Sequence, residues 1–109
     1  MPFYARVWSL TPSSDNSQDY NISCYSASMS EQKNLVTTHG VTPVWSDETG
    51  QYYVEYTKNN SVYKIWMEDI ASIEEKLKLM DSFHLAGGAF WKAGLEQSSV
   101  WNTIIKYIN

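Results

Sequence analysis

Apolar and polar side chains alternate from the second residue onward. Phe3, Ala5 and Val7 fall on one side of an extended chain, and Tyr4, Arg6 and Trp8 on the other. This predicts a strand over residues 2–8, buried on both sides. It begins directly after Met1 with no leading loop, as expected of a piece of a longer protein. The alternation then fades. Residues 9–27 are dominated by Ser, Thr, Asn and Asp and are predicted to form a loop whose end is pinned by Tyr20 and Ile22.

A helix is predicted over residues 29–38. Ser28 and Glu31 have the S-x-x-E spacing in which each side chain satisfies an orphan backbone donor, and Gly40 supplies a left-handed stop. Three short strands follow at 41–45, 51–57 and 62–67. Turns at 47–50, ending on Gly50, and at 58–61, centred on Asn59 and Asn60, separate them. Such short links imply an antiparallel meander. The clearest element is a second helix. Ile70, Ile73, Leu77 and Met80 recur at helical spacing, Asp69 is a suitable N-cap, and Glu74 and Lys78 form a favourable i,i+4 pair. A small-residue strand over 86–91, a loop over 92–96 and a last helix over 98–108 complete the chain. Strand, helix, strand and closing helix form a βαβ pattern interrupted by the helix and meander. The expected fold class is α+β: a small helix-plus-antiparallel-meander insertion with a βα-βα remnant of a TIM barrel.

Composition narrows the chemistry. The 109 residues carry a net charge of −4, and the eight Lys and Arg are scattered, so no nucleic-acid footprint is present. No apolar run reaches the roughly 18 residues of a membrane span, and the first residues lack the basic start and apolar stretch of a signal peptide. A single cysteine, Cys24, excludes an intrachain disulfide and a multi-cysteine zinc site. His39 and His84 follow no metal-ligand spacing, and no metal or cofactor is expected. Charged residues make up only 18%, while five Trp and eight Tyr accompany many Ser, Thr and Asn. This mixture suits a surface that stacks on sugar rings and bonds their hydroxyls. It is also common in small β-rich domains that bind no glycan.

The order of segments resembles glycoside hydrolase family 18. Pro2-Phe3-Tyr4-Ala5-Arg6-Val7-Trp8 is similar to the family's seventh barrel strand, with its P-x-Y-x-R core. Larger members insert an α+β domain after that strand. Trp66-Met67-Glu68-Asp69 resembles the aromatic-acidic junction that returns to the barrel, and Ser72, Lys76 and Leu79 match the S-x-x-x-K-x-x-L pattern of the seventh helix. Gly87-Gly88-Ala89-Phe90-Trp91 looks like the eighth strand. Its Trp stands one place early, as in the bacterial spore-type branch, which Lys92 and Gly94 also match. So do Thr42-Pro43-Val44-Trp45 and Tyr52-Tyr53-Val54-Glu55-Tyr56. The resemblance divides the chain into residues 1–8 (strand 7), 9–67 (insertion) and 68–109 (helix 7, strand 8 and helix 8).

It also implies a function. Family enzymes cleave β-1,4 bonds of N-acetylglucosamine-containing glycans, here peptidoglycan or chitin, by substrate assistance. A Glu protonates the leaving oxygen, and the sugar's own acetamido oxygen attacks the anomeric carbon. The family's D-x-x-D-x-D-x-E on strand four and M-x-Y-D on strand six are both absent from this sequence. The chain alone is therefore expected to be inactive, with its parent at the cell wall or spore. Trp91 matches the Trp that floors the subsite at the cleaved bond, and Tyr4 and Arg6 match the strand-seven pair at the barrel mouth. A partial barrel exposes strand edges, so a homodimer is expected.

Each of these residues has a plainer reading. Trp91 also reads as a core aromatic, the reading its residues alone favour, and Arg6 reads equally as the partner of Glu68 or Asp69 in an ion pair. Glu68-Asp69 fits a helix cap with a first-turn charge. Glu55 fits a solvated strand face, and His39 a surface residue at a helix end. Cys24 fits a free thiol. Asn21 and Asn59 begin glycosylation sequons that matter only in a eukaryotic secretory setting. The alternative functions are a stand-alone carbohydrate-binding or wall-associated module and a purely structural interaction domain.

Overall fold

The computed structural model describes residues 1–13 and 19–108. Five strands form one antiparallel sheet: β1 (Tyr4–Pro12), β2 (Tyr20–Ser28), β3 (Val44–Ser46), β4 (Gln51–Lys58) and β5 (Ser61–Trp66). Their order is β2-β1-β5-β4-β3. Three helices accompany them, α1 (Met29–His39), α2 (Ile70–Ser82) and α3 (Val100–Ile105). The class is α+β.

The caps form as their residue types require. The Ser28 hydroxyl accepts from the Glu31 amide while Glu31 accepts from the Ser28 amide, and Gly40 ends α1 at φ 59°. Asp69 caps α2, with Ser72 completing a reciprocal box. Asn59 and Asn60 take positive φ at the β4–β5 turn, the left-handed pair that a tight hairpin needs.

Several elements differ from expectation. Within the expected loop over 9–27, residues 9–12 and 20–27 are strand. β1 continues to Pro12 and pairs with β2 over nine residues, from Tyr4–Ser28 to Pro12–Tyr20. Residues 14–18 of the expected loop lie outside the described residues. The first strand is buried on one face only: Phe3, Ala5 and Val7 are buried, whereas Tyr4, Arg6 and Trp8 are not. The strand expected at 41–45 is shortened to Val44–Ser46, and the last helix to Val100–Ile105. The strand expected at 86–91 is reduced to a single parallel bridge, Pro2–Trp91.

The N-terminal segment, Phe3 and β1, threads two cores. Phe3 sits with Met29, Ile73, Leu77, Met80, Val100 and Ile104 in one. Ala5 and Val7 join Ala27, Val54, Tyr56, Ile65 and Met67 in the other. One face of the sheet thus carries the apolar contacts that hold α1 and α2. Burying these side chains contributes about 1.5–3 kcal/mol each for the larger ones. Gly88 allows the C-terminal segment to close on Met1, since a Cβ there would meet the Met1 side chain at 3.2 Å.

Candidate functional site

The parallel bridge brings the two ends of the chain together. The Met1 ammonium donates to the Ala89 carbonyl at 2.6 Å, the Trp91 amide to the Met1 carbonyl at 2.9 Å, and the Phe3 amide to the Trp91 carbonyl at 2.6 Å. The peptide between Trp91 and Lys92 is cis. Phe3 and Phe90 stack at 5.3 Å, and the Trp101 ring of α3 meets Phe3 edge-on at 5.6 Å. These two phenylalanines point toward the helices. Tyr4, the next residue after Phe3, is not buried with it and starts β1. Trp91 is 67% exposed, so it is not a core aromatic. Arg6 lies on the Tyr4 face, its guanidinium carbon 6.0 Å from the Tyr4 ring centroid. Tyr4 and Arg6 thus share one face of β1, and the exposed Trp91 is bridged through its backbone to Pro2, two residues before Tyr4.

Sequence reading missed the rest of that face. The β1–β5 register pairs Trp8 with Lys64, and the β4–β5 register pairs Glu55 with Lys64 and Tyr53 with Trp66. Trp8, Trp66 and Tyr53 thus join Tyr4 and Arg6. Trp8 and Trp66 are each 38% exposed. Tyr53 and Trp66 rings lie 5.0 Å apart, tilted by 50°. The Tyr53 hydroxyl donates to Glu55 at 2.7 Å, and Glu55 faces Lys64 at 3.9 Å. Burial, reinforced by Glu55, pushes the Tyr53 phenol up to about 12. The signal for Trp8 was present in the Tyr4-Arg6-Trp8 alternation. Trp66 and Tyr53 join it only through strand register.

Arg6 does not pair with Glu68 or Asp69. Glu68 is enclosed by other partners: Lys76 Nζ at 2.5 Å, Ser72 Oγ at 2.7 Å and Gln51 Nε2 at 3.0 Å. Its amide donates to Gln32 Oε1 at 3.0 Å, and the buried Gln32 donates through Nε2 to the Ala27 carbonyl. Ser72 and Lys76, the matched helix residues, thus hold a carboxylate that joins β4 and α2, while the Glu68 amide ties in α1. Asp69 is held at the cap, and burial raises its carboxyl above the ordinary range, ahead of the opposing amide bonds. No buried side-chain N or O among the described residues lacks a partner.

The other candidates resolve simply. Glu55 is exposed on its strand, and Cys24 is an exposed free thiol. His39, in the last turn of α1, stacks on Tyr56 at 3.9 Å. Among the described residues no group of three or more His, Cys, Asp or Glu is arranged to hold a metal ion. Within the same residues, no helix is long and apolar enough to cross a membrane.

No family model matches the chain. A curated relative, the cortical fragment-lytic enzyme of Bacillus anthracis, is 27% identical over 66 residues, covering 59% of this chain and 15% of the relative. Among solved structures, the C-terminal domain of a chitinase-like protein from Desulfitobacterium hafniense DCB-2 has a TM-score of 0.84 at 20% identity, covering 100% of this chain and 34% of that one. The spore cortex-lytic enzyme SleL of Bacillus megaterium QM B1551 has a TM-score of 0.82 at 22% identity, covering 100% and 24%. A glycoside hydrolase family 18 N-acetylglucosaminidase from Paenibacillus barengoltzii has a TM-score of 0.66 at 19% identity, covering 98% and 32%. The chain thus has the fold of a part of chitinase-like and spore cortex-lytic enzymes, family 18 among them. It spans about a third or less of their length.

Proposed function

We propose that this chain is the closing part of a family 18 glycoside hydrolase and supplies one wall of its glycan cleft. Residues 1–8 are then barrel strand 7, residues 9–67 the inserted α+β domain, and residues 68–109 helix 7, strand 8 and helix 8. The substrate class is a β-1,4-linked, N-acetylglucosamine-containing glycan. Peptidoglycan is favoured over chitin by the likeness to cortex-lytic enzymes, which also favours action at the spore or cell wall.

The observation that carries this reading is the exposed Trp91, held by a backbone bridge to Pro2 at the start of the strand that bears Tyr4 and Arg6. A ring held there stacks under the apolar face of a sugar and turns its acetamido group toward the anomeric carbon. Tyr4 and Arg6 offer a hydroxyl and a guanidinium to sugar hydroxyls. The proton donor comes from the strand bearing D-x-x-D-x-D-x-E, which this sequence does not contain. The chain alone binds glycan without cleaving it. An apolar hollow of about 540 Å³, lined by residues including Leu79, Phe83 and Leu85, is the surface that preceding barrel units cover. In their absence two copies of the chain cover it for one another.

Calorimetric titration with N-acetylglucosamine tetramer tests the reading. Binding is expected with a dissociation constant on the order of 1 mM, weakened about tenfold by Trp91→Ala (~1.4 kcal/mol). An assay for reducing ends is expected to show no hydrolysis. Absence of binding, or equal binding by Trp91→Ala, overturns the proposal. Turnover by the chain alone overturns its catalytic part.

A further inference from the structure

We infer that β2 is a self-pairing edge: it adds to β2 of a second copy of this chain, antiparallel, about a two-fold axis at Ser23. This surface is separate from the apolar hollow at Leu79, Phe83 and Leu85, and it does not rest on the cleft reading above.

The sheet has two outer strands, β2 and β3. β3 is only three residues long, and shortness by itself blunts an edge. β2 runs for nine residues with no proline and no charged side chain from Tyr20 to Ser28. It thus lacks the length limit, the charge and the proline that keep other edges from pairing. Residues 20–26 are exposed, and among the described residues no strand lies beyond them.

Hydrogen-bond parity shows which backbone groups point outward. The Ser13 amide donates to the Asp19 carbonyl, and the same register continues from Pro12–Tyr20 to Tyr4–Ser28. Opposite residues of an antiparallel ladder alternate between bonded and non-bonded pairs. Asn21, Ser23, Tyr25 and Ala27 therefore turn their backbone groups to β1. Tyr20, Ile22, Cys24, Ser26 and Ser28 turn theirs outward. The Ser28 amide is already engaged, donating to the Glu31 carboxylate at 3.1 Å. Tyr20, Ile22, Cys24 and Ser26 remain, evenly spaced and stopping short of α1.

This row selects its occupant. Amides and carbonyls at every second residue are matched in series by another extended backbone. The same row on a second copy is its complement, and no charge on either strand opposes the approach. One antiparallel register uses all of it: Tyr20 stands opposite Ser26, Ile22 opposite Cys24, and the small Ser23 opposite itself. Cys24 is paired with Trp8 within the chain, so Ile22 and Cys24 of both copies form an apolar cluster on the Trp8 side of the joint sheet. Asn21 faces Tyr25 on the other side. The axis stands perpendicular to the sheet, so both copies turn the Tyr4–Arg6 face the same way. A contact made by residues 20–26 alone is small and belongs to the weak, transient class.

Amide hydrogen exchange read by nuclear magnetic resonance tests the inference. It uses the Phe83→Glu chain, in which the hollow no longer brings copies together, at millimolar concentration and after strong dilution. The amides of Ile22, Cys24 and Ser26 are expected to slow several-fold at high concentration only. Those of Asn21, Ser23, Tyr25 and Ala27 should be slow at both. Cys24→Pro removes an outward donor that β1 does not use. It is expected to abolish the concentration dependence while the inward amides and the far-ultraviolet circular dichroism persist. Outward amides that exchange equally fast at both concentrations overturn the pairing. So does slowing produced by N-acetylglucosamine hexamer in dilute protein, which would assign the edge to a glycan. The register is read by oxidation with diamide. Ser23→Cys in a Cys24→Ser background places two thiols directly opposite at a non-bonded pair, with Cα atoms about 4.5 Å apart, within disulfide reach. It is expected to form covalent dimer several-fold faster than the parent thiol at Cys24, which faces Ile22. The reverse order of rates overturns the axis at Ser23.

Discussion

Lys76 and Glu68 meet at 2.5 Å across the junction between the sheet and α2, with Ser72 and Gln51 on the same carboxylate. Glu68 is buried and Lys76 is partly open to solvent. The pair is therefore a joint between the antiparallel sheet and the helix that holds the Phe3 core.

Cutting this joint is expected to destabilise the chain strongly. Glu68→Ala leaves the Gln51 amide and the Lys76 ammonium without their acceptor, and the Ser72 hydroxyl with only the Asp69 carbonyl. The expected cost is about 3 kcal/mol, the lower end for a broken buried pair because Lys76 reaches water. Ser72→Ala removes one arm of the cap and one donor to Glu68, for about 1–2 kcal/mol. Urea unfolding followed by far-ultraviolet circular dichroism measures both. A cost below 0.5 kcal/mol for Glu68→Ala would contradict the assignment.

Two capping carboxylates are expected to give opposite pH responses. The Ser28 amide and hydroxyl bonds lower the Glu31 carboxyl, so its ionised form favours the fold. That contribution is present above the unfolded carboxylate range and is lost as pH falls through the lowered native value. Burial raises the Asp69 carboxyl, so the native state binds its proton more tightly than the unfolded chain does. Its contribution is full in acid and is lost as pH rises through the raised native value. Glu31→Gln is therefore expected to be less stable than the parent at neutral pH, the gap closing in acid. Asp69→Asn, which keeps a capping oxygen, is expected to match or exceed the parent at neutral pH, with its advantage shrinking in acid. Thermal melts at pH 3, 5 and 7 read the two signs.

Alkali is expected to loosen the sheet before it titrates all the tyrosines. Burial raises the phenols of Tyr53 and Tyr56 to about 12. Both stay protonated in the fold across a range where unfolded phenols, near 10, ionise, so stability falls as pH rises from about 10 to 12. Tyr53→Phe is expected to remove part of that slope. An unchanged slope in Tyr53→Phe and Tyr56→Phe together would contradict the burial of these rings.

Self-association is the expected behaviour of the chain alone. The hollow at Leu79, Phe83 and Leu85 presents large apolar side chains to solvent. Sedimentation equilibrium is expected to show a dimer that Phe83→Glu shifts toward monomer. A concentration-independent monomer contradicts this.

The legible parts of the fold were those with local chemistry. Ser28, Glu31 and Gly40 announced α1, and Asp69 with the Ile73-Leu77-Met80 stripe announced α2, because caps and helical stripes act within a few residues. β2 was illegible because it is exposed along nearly its whole length, Ala27 being its one buried residue. No apolar alternation marks such a strand, and its ladder with β1 is what specifies it. Residues 86–91 were read as a strand from composition. A parallel strand needs paired neighbours, and Pro2 alone bridges to this segment. Tyr4, Arg6 and Trp91 were singled out through motif order. Trp66 and Tyr53 were not, because only register carries them to the face of Trp8.

Indole and amide resonances provide the most direct test that the Trp91 face receives a glycan. In a ¹H–¹⁵N correlation spectrum the five Trp side chains are separately observable. Titration with N-acetylglucosamine tetramer is expected to move the Trp91 indole and the Tyr4 and Arg6 amides. The Trp101 indole, packed on the helix side against Phe3, should stay in place. Movement confined to other residues, or none at a concentration of several millimolar, would contradict the account.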